Sequence, residues 1–316
     1  MALLILRNDD KGNAWRQELL KIDSSLEVIV YPEPHKTEAI KMATVWKHPE
    51  GLLHNYTGLL GIQSMGAGVD FILKDPSVGS PQNPSGLTRP IMRVVDEQLT
   101  ADMAEYVLTH CLAALRDLQH YEVLSKDRRW EPSNYRRASE TTVGILGLGT
   151  LGMAAGKALL QNGFQVRGWA RSSKKAEGIS VYAGAGSLNE FLAGSQIVVC
   201  LLPLTPETSG ILNAKRFKQM DPGTFLINAA RGGHLIEADL IPAIDSGLLS
   251  GACLDVFQEE PLPREHPFWE HPKIRVTPHV ASVSDPSTVA AQIVANYKNL
   301  LKGVAPQNLV DLEKGY

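Results

Sequence analysis

Three ionisable residues in the C-terminal half stand at the ends of apolar runs. Arg231 follows the run 224–228 and two alanines, Glu260 follows "GACLDVFQE" and precedes Pro261, and His279 sits in "VTPHVAS". An arginine, a carboxylate and an imidazole are types that bind an anion and handle a proton. A buried guanidinium is costly unless it meets an anion, supplied either by the protein or by a ligand. Taken singly, each residue has a plainer reading: an ion-pair partner for Arg231, a solvated loop carboxylate for Glu260, a helix-start residue for His279. Their common placement makes the plain readings, taken together, the weaker account.

The elements that must position them follow from the apolar pattern. Short runs recur at 3–6, 27–30, 59–63, 90–94, 142–146, 165–169, 197–202, 224–228, 251–255 and 274–277, and helical patterns lie between several of them, as at 151–162 and 237–246. Many runs are continuous rather than alternating, as strands covered on both faces should be. This is the pattern of parallel α/β units. A parallel sheet gathers the C-terminal ends of its strands on one edge, so Arg231, Glu260 and His279 can meet there. The segment "DEQLTADMAEYVLTHCLAALRDLQHYEVL" reads as one long helix able to bridge two lobes, and a last helix is expected at 287–302. The segment 76–90 is rich in turn residues.

The same edge carries a glycine signature. Gly147, Gly149 and Gly152 form GxGxxG between a strand and an amphipathic helix. The first glycine permits a tight turn, the second lets backbone approach a pyrophosphate, and the third lets helix and strand pack closely. The helix N-terminus at Thr150 and Leu151 offers free N–H groups to phosphates. The next strand ends Trp169-Ala170-Arg171-Ser172-Ser173-Lys174-Lys175, without the acid that would accept bonds from an NAD ribose. Arg171 and a lysine such as Lys174, with Ser172 or Ser173, could instead hold a 2′-phosphate, so the expected cofactor is NADP(H). The plainer reading of this turn is a solvated basic surface.

Bulk composition fits this picture. The chain has 316 residues, 44% hydrophobic and 21% charged, with a formal net charge of -3. That length suits roughly two domains of ~150 residues. The charge is too near balance to argue for nucleic acid or a membrane surface. The three cysteines, Cys111, Cys200 and Cys253, lack CxxC spacing and sit among apolar residues, which reads as reduced core thiols. The start "MALLILRNDD" reads as a first strand rather than a signal peptide. No apolar stretch approaches the ~20 residues that span a bilayer. The expectation is a soluble, cytoplasmic protein.

At this point the sequence resembles the D-isomer-specific 2-hydroxyacid dehydrogenases, and most closely their glyoxylate/hydroxypyruvate reductase branch. The resemblance rests on Gly66-Ala67-Gly68-Val69-Asp70, Ala104-Glu105-Tyr106, the glycine loop, "LLPLTPET" at 201–208, "NAARGG" at 228–233, "LDVFQEEPLP" at 254–263 and "TPHVA" at 277–281; Trp46 in "TVWKHP", the "WARSSKK" turn and the ending "EKGY" point to the branch. It implies two Rossmann-like parallel-sheet lobes with a cleft between them, the substrate lobe being discontinuous: 1–100, an NADP-binding domain at 101–282, and a C-terminal helix at 283–316 returning to the first lobe. It implies that His279 donates a proton, that Glu260 hydrogen-bonds the other ring nitrogen and favours its charged form, and that Arg231 binds the substrate. Backbone N–H groups of Met65, Gly66, Ala67 and Gly68 would hold the substrate carboxylate, with Trp46 either lining the cleft or packed in the core. Leu202, Pro203, Ala229 and Ala230 would lie along the cofactor. Asp255 would support the nicotinamide side or act as a strand-end structural acid. Trp130 is expected at a homodimer contact. The competing functions are a reductase of bulkier 2-keto acids such as phenylpyruvate and a dinucleotide-sensing corepressor-like protein. Formate dehydrogenase, a sister branch, is set aside because it needs Gln where this chain has Glu260.

Overall fold

The computed structural model describes every residue except 80–82 and 84, so that part of the turn-rich 76–90 segment lies outside the described residues. The chain divides into two compact units, Met1–Leu99 with Val283–Tyr316, and Thr100–Ser282.

In the first unit, β1 (Ala2–Arg7), α1 (Gly12–Ile22), β2 (Glu27–Val30), β3 (Ile40–Trp46), β4 (Gly61–Ser64), α2 (Asp70–Leu73) and β5 (Ile91–Met92) build a five-stranded sheet ordered β2-β1-β3-β4-β5. Every pairing is parallel. β1 is buried from Ala2 to Leu6, which explains its unbroken apolar run. The central strand β3 is absent from the expected runs. Lys41 near its start and Thr44 in its middle interrupt the apolar pattern, yet it pairs with both β1 and β4. β5 is shorter than the expected 90–94, because the N–H of Arg93 turns to Asn308 and that of Val94 to Gly66.

The second unit holds most of α3 (Glu97–Leu115), then α4 (Leu118–Lys126), β6 (Thr142–Leu146), α5 (Thr150–Gln161), β7 (Gln165–Ala170), β8 (Ile179–Ala183), α6 (Leu188–Leu192), β9 (Ile197–Cys200), α7 (Ala214–Phe217), β10 (Thr224–Asn228), α8 (Leu240–Asp245), β11 (Leu249–Leu254) and β12 (Ile274–Val276). Its seven strands run β12-β11-β10-β9-β6-β7-β8, all parallel. Successive residues pack on opposite faces: Val198, Leu226 and Leu254 on one, Val199, Ile227 and Cys253 on the other. The expected single long helix is broken instead. Asp117 adopts φ 53, a left-handed conformation that ends α3 and starts α4, and a short polar side chain is among the few that tolerate it. The edge strand β8, "ISVYA", also escaped the sequence reading, because Ser180 and partial burial blur its pattern.

The chain then returns to the first unit as α9 (Pro286–Leu301), capped by Asp285 accepting from Ser287 N–H at 2.8 Å. A buried amide cluster ties it down: Asn296 donates to Gln63 of β4 at 2.9 Å and accepts from Gln307 N–H at 2.7 Å.

Candidate active site

The glycine loop joins β6 to α5, and its three glycines answer to different constraints. Gly147 has φ +103, and a Cβ there would lie 2.7 Å from the Leu201 carbonyl oxygen. A Cβ on Gly152 would lie 1.9 Å from the Gly147 oxygen, so no side chain fits. A Cβ on Gly149 would meet nothing within 4 Å. The protein therefore leaves open space above Gly149, where a ligand could approach the backbone. Gly149 also caps α5 without a side-chain bond, and Met153 is the first residue to donate back into the helix. The N–H groups of Thr150, Leu151 and Gly152 meet no acceptor among the described residues, at the positive end of a twelve-residue helix. These features fit the pyrophosphate of a dinucleotide.

At the end of β7, Ala170 is buried and Arg171, Ser172 and Ser173 are exposed. The Lys174 ammonium folds over the loop to donate to the Leu148 carbonyl. Glu207 is held below the ordinary carboxylate range, chiefly by the Thr205 hydroxyl bond and also by the charge of Arg171. The turn thus gathers cations and hydroxyls beside the glycine loop, with no acid ending the strand. That composition fits a 2′-phosphate better than a free ribose.

Three neighbouring strands carry the ionisable residues. After β10, Ala229 and Ala230 are nearly buried, and the Arg231 guanidinium donates from Nη1 to the Ala230 carbonyl at 2.6 Å. The Arg231 backbone is fixed at both ends: its N–H donates to His234 Nδ1 at 3.2 Å and its carbonyl accepts from Asn228 at 3.1 Å. The other His234 nitrogen lies 3.2 Å from the Pro203 carbonyl, so one buried ring joins the Arg231 turn to the segment carrying Leu202 and Pro203. Gly232 is obligatory, because a Cβ there would lie 1.9 Å from the Phe257 carbonyl carbon. That close approach brings the loop after β11 against the Arg231 turn. Within the loop, Glu260 accepts from Phe257 N–H at 3.1 Å through Oε1, and its Oε2 lies 2.8 Å from His279 Nδ1. Both side chains keep some exposure, 18% for Glu260 and 26% for His279. With Nδ1 facing the carboxylate, Nε2 is the nitrogen on the far side of the ring.

Asp255 explains how His279 is held. It is 1% exposed, and its carboxylate accepts from Thr277 Oγ1 at 2.7 Å and from the N–H groups of Val280 and Ala281, each at 2.9 Å. Its carbonyl takes the His279 N–H at 2.9 Å. His279 is thereby pinned at φ 55, a conformation uncommon outside glycine. Tyr106 of α3 completes the support with its hydroxyl 2.7 Å from Thr277 Oγ1, and burial pushes its phenol far up, so it stays a donor.

The expected substrate loop lies in the first unit, after β4. Its four N–H groups are not equivalent. Met65 N–H donates to the Val45 carbonyl at 3.0 Å and Gly66 N–H to Ser64 Oγ at 3.1 Å. Those of Ala67 and Gly68 have no acceptor among the described residues. Trp46 stands against this loop: a Cβ on Gly66 would lie 2.7 Å from indole Cζ3. The indole is half-buried and meets Phe71 edge-on at 5.7 Å.

Comparison with known proteins places this arrangement. Residues 108–281 match the model for "D-isomer specific 2-hydroxyacid dehydrogenase, NAD binding domain". The chain is 40% identical over 284 residues to glyoxylate/hydroxypyruvate reductase A of Serratia proteamaculans, covering 90% of each. The chain belongs to the D-isomer specific 2-hydroxyacid dehydrogenase family. Among solved structures, it is similar to a family member from Xanthobacter autotrophicus Py2 in complex with NADPH and MES, with TM-score 0.92 and 39% identity over 100% of this chain and 99% of that one. It is also similar to an NADPH-dependent glyoxylate/hydroxypyruvate reductase from Sinorhizobium meliloti in complex with NADP and sulfate, with TM-score 0.90 and 36% identity over 100% of both chains.

The family match spans the glycine loop, Arg231, Glu260 and His279. Within the second unit the structure brings Glu260 and His279 into contact and backs the Arg231 turn against the Glu260 loop. Trp46 and the 65–68 loop meet in the first unit. Sequence reasoning missed His234, whose only signal was its place directly after the pair Gly232-Gly233.

Proposed function

We propose that this chain reduces small 2-keto acids, glyoxylate and hydroxypyruvate, to the 2-hydroxy acids with NADPH. The observation that carries the reading is the 2.8 Å contact between Glu260 and His279 Nδ1, on the same parallel sheet that carries the glycine loop. The names of the similar reductases support the substrate class.

When bound, NADPH supplies the hydride that reaches the 2-keto carbon. Negative charge then grows on the carbonyl oxygen, and His279 Nε2 donates a proton to it. Glu260 fixes the ring and stabilises the imidazolium from the other side. Arg231 binds the substrate carboxylate and carbonyl oxygen with a charge that cannot be lost by deprotonation. The Ala67 and Gly68 N–H groups add bonds to the carboxylate. Thr150, Leu151 and Gly152 hold the pyrophosphate, and Arg171, Ser172 and Lys174 the 2′-phosphate. The chain works as a homodimer through the segment after α4, where Trp130 is 95% exposed and Tyr135 stacks under Arg116 at 4.5 Å. Among the described residues no helix is long and apolar enough to cross a membrane. The three buried, unpaired cysteines suit the cytoplasm.

Initial rates with NADPH and NADH over glyoxylate, hydroxypyruvate, pyruvate and phenylpyruvate test this reading. NADPH with the two small substrates should give the highest kcat/KM. A preference for phenylpyruvate, or no turnover with any of them, would overturn it.

A further inference from the structure

Arg231 is not the only cation that closes a buried strand. β1 reads "ALLILR", and Arg7 ends it with a side chain only 8% exposed. Arg7 is the register partner of Trp46, and Met65 continues the same row one step past the pair Val45–Ser64. Arg7, Trp46 and Met65 therefore line the C-terminal edge of the five-stranded sheet, beside the loop assigned to the substrate carboxylate.

The guanidinium is only partly satisfied. Nε and Nη2 grip the two carboxylate oxygens of Asp9 at 2.7 and 2.6 Å, and Nη1 lies 3.3 Å from the Met65 sulfur. That uses three of five N–H groups, one of them on a weak acceptor. The remaining two, one on each terminal nitrogen, meet no acceptor among the described residues. Burying such donors without partners is unfavourable, and an ion pair two residues apart adds little stability to offset it. The Arg7 bond also keeps the Asp9 carboxyl below its ordinary range, so the two form an ionised pair that is neutral as a whole.

We propose that Arg7 and Asp9 are specificity residues that read a hydroxyl on C3 of the 2-keto acid. The proposal rests on the reductase reading given above. A hydroxyl is donor and acceptor at once, and the pair offers spare N–H groups beside a carboxylate oxygen. A second substrate carboxylate would meet the Asp9 charge, so the neutral pair favours the neutral group. Hydroxypyruvate carries that hydroxyl. Pyruvate has the same skeleton without it, and glyoxylate lacks the third carbon.

The test is the ratio of kcat/KM for hydroxypyruvate to that for pyruvate, with NADPH, in the wild type and in Arg7→Met. The wild-type ratio should be well above one, and the variant should lower it roughly ten- to a hundredfold, the range for a hydrogen bond to a charged group. The loss should lie mainly in KM for hydroxypyruvate, because the contact is the same in ground and transition states. Asp9→Asn should lower the ratio in the same direction. If Arg7 only props Met65, all substrates lose alike and the ratio stays, which overturns the proposal. Where Arg7→Met melts too early to assay, Arg7→Lys keeps the cation but loses the fork, and a wild-type ratio in that folded variant would overturn it equally. A wild type that reduces glyoxylate but shows no preference for hydroxypyruvate over pyruvate rejects the proposal alone. A wild type inactive on all three rejects the reductase reading itself.

Discussion

The two glycine-bearing loops at the C-terminal edges of the two sheets solve similar problems by different means. In the 147–152 loop the glycines at both ends are forced by main chain: the Leu201 carbonyl crowds Gly147, and the Gly147 carbonyl crowds Gly152. A twelve-residue helix follows and presents its unused N–H groups. In the 65–68 loop Gly66 is crowded by a side chain, the Trp46 indole, and the helix that begins at Asp70 has four residues. Two of its four N–H groups are already used. On the function proposed above, the first loop would be a rigid seat for an invariant ligand part, the pyrophosphate. The second is shaped by a replaceable side chain, and on the same proposal that is where substrate choice would be tuned.

Variants can break or sharpen this contrast. The largest effect should come from a residue that belongs to neither loop. His279→Asn, chosen because Asn tolerates the left-handed backbone, should lower kcat roughly 10²–10⁴-fold while NADPH titration stays near wild type. Loss of NADPH affinity instead would show that the ring serves binding. Gly152→Ala should weaken NADPH about ten- to a hundredfold and lower the melting temperature, since a main-chain clash at 1.9 Å cannot be relieved by a rotamer change. Unchanged affinity would break the rigid-seat account. Arg171→Ala should weaken NADPH about tenfold and NADH far less, the worth of one charge-assisted bond; equal losses would remove Arg171 from the 2′-phosphate. Gly66→Ala should be milder, because the indole can turn away: KM for glyoxylate should rise roughly fivefold with NADPH binding unmoved. A loss in NADPH binding there would erase the distinction between the loops.

The contrast also explains what the sequence made legible. GxGxxG is readable because backbone packing dictates both residue type and spacing, and the runs 142–146 and 224–228 match β6 and β10 because both faces of those strands are buried. Arg231, Glu260 and His279 were visible because each follows a strand of one parallel sheet. β3 was not, since Lys41 and Thr44 break its apolar run although neighbours cover it on both sides. The break at Asp117 depends on a single backbone angle that composition does not encode. The bonds of Asp255 and His234 run to loops distant in sequence, so only the folded chain reveals what they hold. Arg7 carried the same signal as Arg231, a cation closing an apolar strand, but no motif surrounds it.

The central claim is that His279, oriented by Glu260, delivers the proton. Glu260→Gln keeps a hydrogen-bond partner for Nδ1 but removes the negative charge beside the ring. The direct measurement is kcat for glyoxylate reduction at saturating NADPH, in wild type and Glu260→Gln. The variant should be roughly ten- to a hundredfold slower, with NADPH titration near wild type. An unchanged kcat would contradict the Glu260–His279 account.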